Sequence, residues 1–167
     1  NDKLKDAASV ALLGIGSELR ADDACGMLVA QRLEKKLCKN KNFKCFLGGA
    51  APENFTGAIK SFKPQQLVIV DSADLGKKPG TIELIREEDI RGVSFSTHRL
   101  PTNILMDYLK SSINCGFVFI GVQPKTLKFG EPVSKEVTKA VSLISDSIQE
   151  ILETSCSELN QVTHCNR

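Results

Sequence analysis

Two aspartates and one histidine stand at positions where the chain could bring them together for chemistry. Asp23 follows an apolar run and a Gly-x-Gly turn, Asp71 follows the apolar core of a later run, and His98 lies in a loop before a helix. Two carboxylates and one imidazole form a mixed oxygen and nitrogen donor set that suits a divalent transition metal. A metal held there would polarise a bound carbonyl or activate water, or it would serve only to orient a ligand.

Each member of this set also has a plain structural interpretation. An aspartate before a helix often caps it, and an aspartate after a strand often makes a turn. A single loop histidine is more often an exposed polar residue than a ligand. The prediction depends on the three residues together, because the carboxyl ends of parallel strands form one edge of the sheet.

Other chemistries fit this sequence less well. The turn "GIGSELRADDACG" resembles a phosphate-binding turn, but Leu19 replaces the third glycine of a dinucleotide fingerprint, and Asp22 and Asp23 would repel a phosphate. The hydrolase motifs G-x-S-x-G and H-E-x-x-H do not occur. Cys25 begins a helix, which can lower a thiol pKa, although packing is the more common role for such a residue. The turn is therefore predicted to hold a cation, not an anion.

Apolar runs alternate with amphipathic segments along the chain. Such alternation predicts a single α/β sandwich with a mainly parallel sheet over residues 1–155, followed by a frayed tail over 156–167. The segment 79–89 alternates apolar and polar residues, which predicts an edge strand or hairpin. Ser134 is predicted to cap the last helix. The segments that predict the strands of the sheet are 9–16, 42–49, 65–74 and 116–124, and the continuous apolar run of 9–16 is typical of a buried parallel strand.

The composition excludes several classes of protein. The chain has 167 residues, 41% of them apolar and 25% charged, which is ordinary usage for one globular domain. A net charge of +2 on scattered basic residues gives no reason to expect a nucleic acid or a membrane surface as a partner. The six cysteines show no zinc-type spacing and predict a reducing, cytoplasmic environment. A monomer is the default expectation.

Five blocks of sequence carry a family resemblance. They are "GIGSELRADDACG", "GGAAPENF", "LVIVDSADLGKKPGTI", "STHRLP" and "GVQPKTLKFGEPVSKEV". In their order and spacing, over 12–152, they resemble the hydrogenase maturation endopeptidases, most closely the hydrogenase 3 maturation protease type. The metal-sensing carboxylates and histidine of that family fall on Asp23, Asp71 and His98, the same three residues that the edge of the sheet selects.

The resemblance implies an endopeptidase of aspartic or metal-dependent type, with Asp23, Asp71 and His98 as its catalytic and metal-binding residues. It implies a three-layer α/β sandwich with a twisted, mainly parallel five-stranded sheet and helices on both faces. The implied substrate is the precursor of a [NiFe]-hydrogenase large subunit, which loses a C-terminal extension after nickel insertion. Nickel would come with the substrate and serve for recognition, so the purified protein is expected to be metal-free. A non-catalytic, metal-dependent checkpoint that binds the loaded precursor is the alternative.

Two positions depart from the pattern of the family. Ser17 replaces the usual Asn after Gly-x-Gly, although a hydroxyl can still hydrogen-bond across the turn. Leu47 stands before Gly48 and Gly49 where many members carry Asp, a change that can alter substrate selection. Gly48, Gly49 and Gln123 remain candidates for the substrate-binding loops, with the glycines leaving room for an extended peptide.

Overall fold

The computed structural model of the protein describes residues 2–92, 94–95 and 102–163. Its helices are α1 (Asp2–Lys5), α2 (Cys25–Lys36), α3 (Thr56–Phe62), α4 (Thr102–Ser112) and α5 (Lys135–Thr163). Its strands are β1 (Val10–Ile15), β2 (Phe43–Gly49), β3 (Gln66–Asp74), β4 (Ile82–Ile85), β5 (Ser94–Phe95) and β6 (Gly116–Val122). Short 3-10 turns cover Ala21–Ala24, Pro52–Phe55 and Glu87–Gly92.

The main sheet has five strands in the order β2-β1-β3-β6-β4. The first four are parallel to one another, and β4 pairs antiparallel with β6 at the edge. The two-residue strand β5 pairs antiparallel with the last residues of β3. These pairings confirm the mainly parallel five-stranded sheet, and they place the segment 79–89 at an edge, as predicted.

Apolar side chains alternate between the two faces of the sheet, as the period of a strand requires. In β3, Val68 and Val70 belong to a core shared with α2 and α5, whereas Leu67 and Ile69 belong to a second core shared with α3 and α4. Helices therefore cover both faces, which confirms the three-layer sandwich. No described helix combines the length and the apolar content that crossing a bilayer requires.

Two glycines let α2 lie directly against the sheet. A Cβ on Gly26 would come within 2.1 Å of the Val70 carbonyl oxygen, and a Cβ on Gly14 within 2.3 Å of the Gly26 carbonyl oxygen. Only glycine, whose side chain is a single hydrogen atom, fits between these backbones. The close packing fixes the start of α2, and with it the turn Ala21–Ala24, at the carboxyl edge of the sheet.

The last helix is longer than the sequence analysis expects. Ser134 Oγ accepts a hydrogen bond from Val137 N at 3.3 Å, which confirms the predicted cap. At its other end α5 continues to Thr163, whereas an irregular tail is expected from Cys156 onward. The segment 154–163 contains neither glycine nor proline, and extending an existing helix costs much less than starting one. Helix propagation therefore reaches past the end of the apolar pattern.

Candidate functional site

Asp71 lies inside β3, at the carboxyl edge of the sheet. β1 pairs with β3 only as far as Val70, so Asp71 is the first residue of β3 beyond the β1 pairing. On its other side it still pairs with Gly121 of β6. Its side chain is buried, with 1% exposure. Asp71 therefore lies just beyond the end of β1, at the edge of the sheet where the turn before α2 lies.

Asp23 is the second buried carboxylate at this edge. It lies in the 3-10 turn Ala21–Ala24 and is 2% exposed. Its Oδ2 accepts from Ser17 N at 2.9 Å, and its Oδ1 accepts from Ser72 Oγ at 2.9 Å. The backbone N–H of Ser17, not the expected hydroxyl, thus makes the recorded bond across the turn. Gly16 permits this closure, because its φ is +128° and a Cβ would lie 1.7 Å from the Asp23 carbonyl oxygen.

The two carboxylates act on the same neighbour, Cys25. Burial raises the pKa of the Cys25 thiol well above its ordinary value, and the charges of Asp71 and Asp23 raise it further. A thiol in these surroundings stays protonated and is a poor nucleophile. The structure therefore supports the packing role of Cys25. It also shows that Asp23 and Asp71 both lie close enough to Cys25 for their charges to act on its thiol.

Asp22, the neighbour of Asp23, has a structural role that the sequence analysis misses. Its carboxylate is fully buried and accepts from Lys125 N at 2.7 Å, Thr126 N at 3.2 Å, Ser134 N at 2.7 Å and Ser134 Oγ at 3.0 Å. We call these contacts the Asp22 clamp. It ties the turn before α2 to the segment that leads into α5. Neither aspartate caps α2, whose first turn has no side-chain cap.

The two glycines after β2 differ in their surroundings. A Cβ on Gly48 would lie 2.9 Å from the Gly14 carbonyl oxygen and from a Leu13 methyl group, so its small size serves packing against β1. A Cβ on Gly49 would meet nothing within 4 Å, and its φ is +58°. Gly49 also accepts from Gly16 N through its carbonyl oxygen at 3.0 Å. The open space predicted beside both glycines is found beside Gly49, next to the turn that carries Asp23.

Gln123 makes internal contacts at the end of β6. Its side chain is 8% exposed, and Oε1 accepts from Leu75 N at 2.6 Å and from Lys77 N at 3.2 Å. Its Nε2 donates to Asp74 Oδ1 at 3.4 Å. Gln123 thus holds the loop after β3 against the end of β6. A direct contact with substrate stays a prediction.

The third predicted ligand, His98, lies outside the described residues. Within residues 2–92, 94–95 and 102–163, no group of three His, Cys, Asp or Glu side chains could hold a metal ion. The carboxylates nevertheless fit a metal as partial ligands. A carboxylate has about four acceptor positions, and the recorded bonds of Asp23 use two of them.

Comparison with known proteins decides the family. The family model for hydrogenase maturation protease, HycI, matches residues 27–153. The hydrogenase 3 maturation protease of Escherichia coli is 34% identical over 139 residues, which cover 83% of this chain and 87% of that protein. The chain belongs to the hydrogenase maturation protease family. It is therefore an endopeptidase, and the resemblance carried by its five sequence blocks is confirmed.

Other relatives agree with this assignment. A Methanocaldococcus jannaschii protein, provisionally named a hydrogenase maturation protease, is 37% identical over 158 residues, which cover 91% of this chain and 93% of that protein. The crystal structure of the [NiFe] hydrogenase maturation protease HycI from Thermococcus kodakarensis superposes with a TM-score of 0.82 at 32% identity, covering 91% of this chain and 97% of that one. The hydrogenase maturation proteases thus share the fold described above.

Proposed function

We propose that this endopeptidase removes the C-terminal extension of a [NiFe]-hydrogenase large-subunit precursor after nickel has been inserted. Family membership supports the class of substrate. The observation that carries the proposal is the convergence of two buried carboxylates, Asp23 and Asp71, at one edge of the sheet. Carboxylates are seldom fully buried unless they are paired or belong to a functional site.

Nickel enters this proposal as part of the substrate. Asp23, Asp71 and the imidazole of His98 would bind the nickel already seated in the precursor, a mixed oxygen and nitrogen set that suits such an ion. A metal ion bound there supplies Lewis-acid polarisation of an adjacent carbonyl. Two carboxylates and one imidazole, without a thiolate, are a weak site on their own. The precursor therefore supplies the affinity, and the free enzyme is expected to be isolated without nickel.

The residues of the chain itself account for orientation and proton transfer. Asp23 is held by Ser17 N and Ser72 Oγ, so its carboxylate keeps one direction when a peptide enters. A fixed, buried carboxylate is suited to accept a proton from an attacking water. The open space beside Gly49 would leave room for an extended peptide next to the turn that carries Asp23. Orientation and proton transfer both favour cleavage over simple binding.

The decisive experiment is cleavage with purified components. The full chain is mixed with a nickel-loaded precursor and, separately, with the same precursor lacking nickel. The proposal expects a truncated large subunit, identified by intact mass, only in the first mixture. A stable, uncut complex with the loaded precursor would contradict it and support the checkpoint alternative. Cleavage of both precursors at equal rates would contradict the role of nickel in recognition.

A further inference from the structure

Gln123 lies just past the point where β6 stops pairing with β3. The last paired residues of the two strands are Ser72 and Val122, directly after Asp71. On its other side, β3 pairs with β1 only as far as Val70. Past these pairs, the two-residue strand β5 adds a short antiparallel pairing. Within the described residues, the end of β3 therefore has fewer backbone partners than its middle, and Asp71 lies where this change begins.

The side chain of Gln123 supports the chain directly after that point. Its Oε1 accepts from Leu75 N at 2.6 Å and from Lys77 N at 3.2 Å, and its Nε2 donates to Asp74 Oδ1 and to Pro124 O, both at 3.4 Å. A glutamine amide has two acceptor positions and two donor hydrogens. These four contacts use all of them, so the amide of Gln123 is committed to the protein's own chain.

The main chain of Gln123 holds the other end of the same loop. Gly80 N donates to Gln123 O at 2.8 Å, and Gln123 N donates to Thr81 O at 2.9 Å. Gly80 has a φ of +81°, and a Cβ there would come within 2.7 Å of the Glu136 carbonyl oxygen in α5. The loop of residues 75–81 is thus attached to a single residue at both ends and packs against α5.

The residues after Gln123 belong to the Asp22 clamp, which holds the turn that carries Asp23. Thr126 bonds that turn in both directions, since Thr126 N donates to Asp22 Oδ2 and Asp22 N donates to Thr126 O, both at 3.2 Å. One short segment, residues 123–126, therefore contacts both the end of β3 and the turn before α2. These are the two elements that carry the buried carboxylates.

We propose that Gln123 is a positioning residue, which fixes Asp71 at the edge of the sheet without touching the substrate. This inference rests on the proposed function, in which Asp71 is one of the two carboxylates that act on the precursor. Displacing a catalytic group by about 1 Å can lower a rate by about 100-fold. Loosening the end of β3 is therefore expected to slow the chemical step and to leave binding of the precursor nearly unchanged.

The test replaces Gln123 by methionine, which has a similar length but lacks the amide. The matched control is Gln65→Met, because Gln65 Oε1 also accepts from a backbone N–H, that of Ala8 at 2.6 Å, but lies just before the start of β3. KM and kcat are measured for the nickel-loaded precursor, below the unfolding midpoint of each variant. We expect kcat to fall about tenfold or more in Gln123→Met, with KM within about twofold of wild type. Both constants should keep their wild-type values in Gln65→Met.

A second measurement needs no precursor. The carboxyl carbon resonance of Asp71, assigned by NMR, reports the surroundings of its side chain. We expect this resonance to shift in Gln123→Met and to keep its wild-type position in Gln65→Met. Should the methionine variant not fold, Gln123→Asn gives the same comparison, because its amide is one methylene shorter and does not reach Leu75 N and Lys77 N.

Three results would overturn the positioning role. A raised KM with kcat unchanged would make Gln123 a substrate contact. An equal loss of kcat in Gln65→Met would show that any lost glutamine contact has the same effect. An unchanged Asp71 resonance in Gln123→Met would show that the two residues are not coupled. If the wild type fails to cut the precursor, the proposed function fails, and the NMR comparison still decides whether Gln123 positions Asp71.

Discussion

Asp22 and Asp23 are adjacent in the chain and equally buried, yet their surroundings differ. Asp22 meets donors from Lys125, Thr126 and Ser134, and two of its four hydrogen bonds come from Ser134 alone. Asp23 meets two donors, and its charge acts on Cys25 together with the charge of Asp71. A carboxylate surrounded by donors stabilises the fold. One that has fewer donors keeps capacity for a ligand. The number of hydrogen-bond donors, not burial, distinguishes the two aspartates.

The fold stabilises the buried charge of Asp22 through hydrogen bonds. Buried charges are costly unless they are hydrogen-bonded or paired. The Asp22 clamp compensates its charge fully and ties together the turn before α2 and the start of α5. That clamp holds the turn in which Asp23 lies.

The largest expected effect is the loss of the Asp22 clamp. Asp22→Ala leaves two backbone segments without their acceptor, and we expect it to lower the free energy of unfolding by about 3 kcal/mol, measured by urea denaturation. The control is Asp146→Ala, since Asp146 is 67% exposed and pairs with Lys36 at 2.6 Å. An exposed pair of this kind contributes at most about 1 kcal/mol. Equal losses in the two variants would remove the distinction between the aspartates.

Part of this site could be read from the sequence, and part could not. Apolar runs identify the strands, and the carboxyl ends of parallel strands meet at one edge, which selects Asp23 and Asp71. The role of Asp22 depends on donors that lie 103 and 112 positions later in the chain. The spacing of residues within one segment does not reveal such long-range contacts. Residue spacing also cannot assign different roles to two adjacent aspartates. Their side-chain directions follow from the turn, in which Ala21 adopts a φ of +47°.

Packing of backbone against backbone was also beyond the sequence. A Gly-Gly pair after β2 predicts open space on both residues, but the neighbouring strand β1 lies close to one of them. Gly48 is therefore small because Gly14 approaches it, whereas Gly49 faces open space. Only the three-dimensional position of β1 distinguishes the two glycines.

The next prediction concerns the rate of precursor cleavage, with little change expected in the free energy of unfolding. Asp23→Asn keeps the shape of the side chain and removes its charge, so we expect cleavage of the precursor to fall about 100-fold or more. The free energy of unfolding should change much less, because an amide of the same shape can still accept from Ser17 N and contact Ser72 Oγ. The control is Asp74→Asn, on the exposed end of β3. Cleavage rates test the expected loss of activity, and urea denaturation curves test the expected stability. Wild-type cleavage by Asp23→Asn would show that Asp23 is a second structural aspartate.

The smallest effect belongs to an exposed ion pair beside the Asp22 clamp. Lys125 Nζ lies 2.8 Å from Glu136 Oε1, and their side chains are 54% and 42% exposed. The hydrogen bond from Lys125, with the charge of Lys125 contributing less, lowers the pKa of Glu136, and the same bond raises the pKa of Lys125. The stabilisation from Glu136 is therefore present at neutral pH and is lost as the pH falls through its folded pKa. The stabilisation from Lys125 is lost as the pH rises through the folded pKa of Lys125.

Glu136→Gln should accordingly change stability least of these variants. We expect its difference from wild type to be constant near neutral pH, to shrink in acid and in alkali, and to fall with added salt. Urea denaturation across pH and ionic strength measures this. The loss in Asp22→Ala should persist in salt, because buried hydrogen bonds are screened much less. If Glu136→Gln cost as much as Asp22→Ala, surface charge and not the buried donors would hold the loop, and the contrast between Asp22 and Asp23 would lose its physical basis.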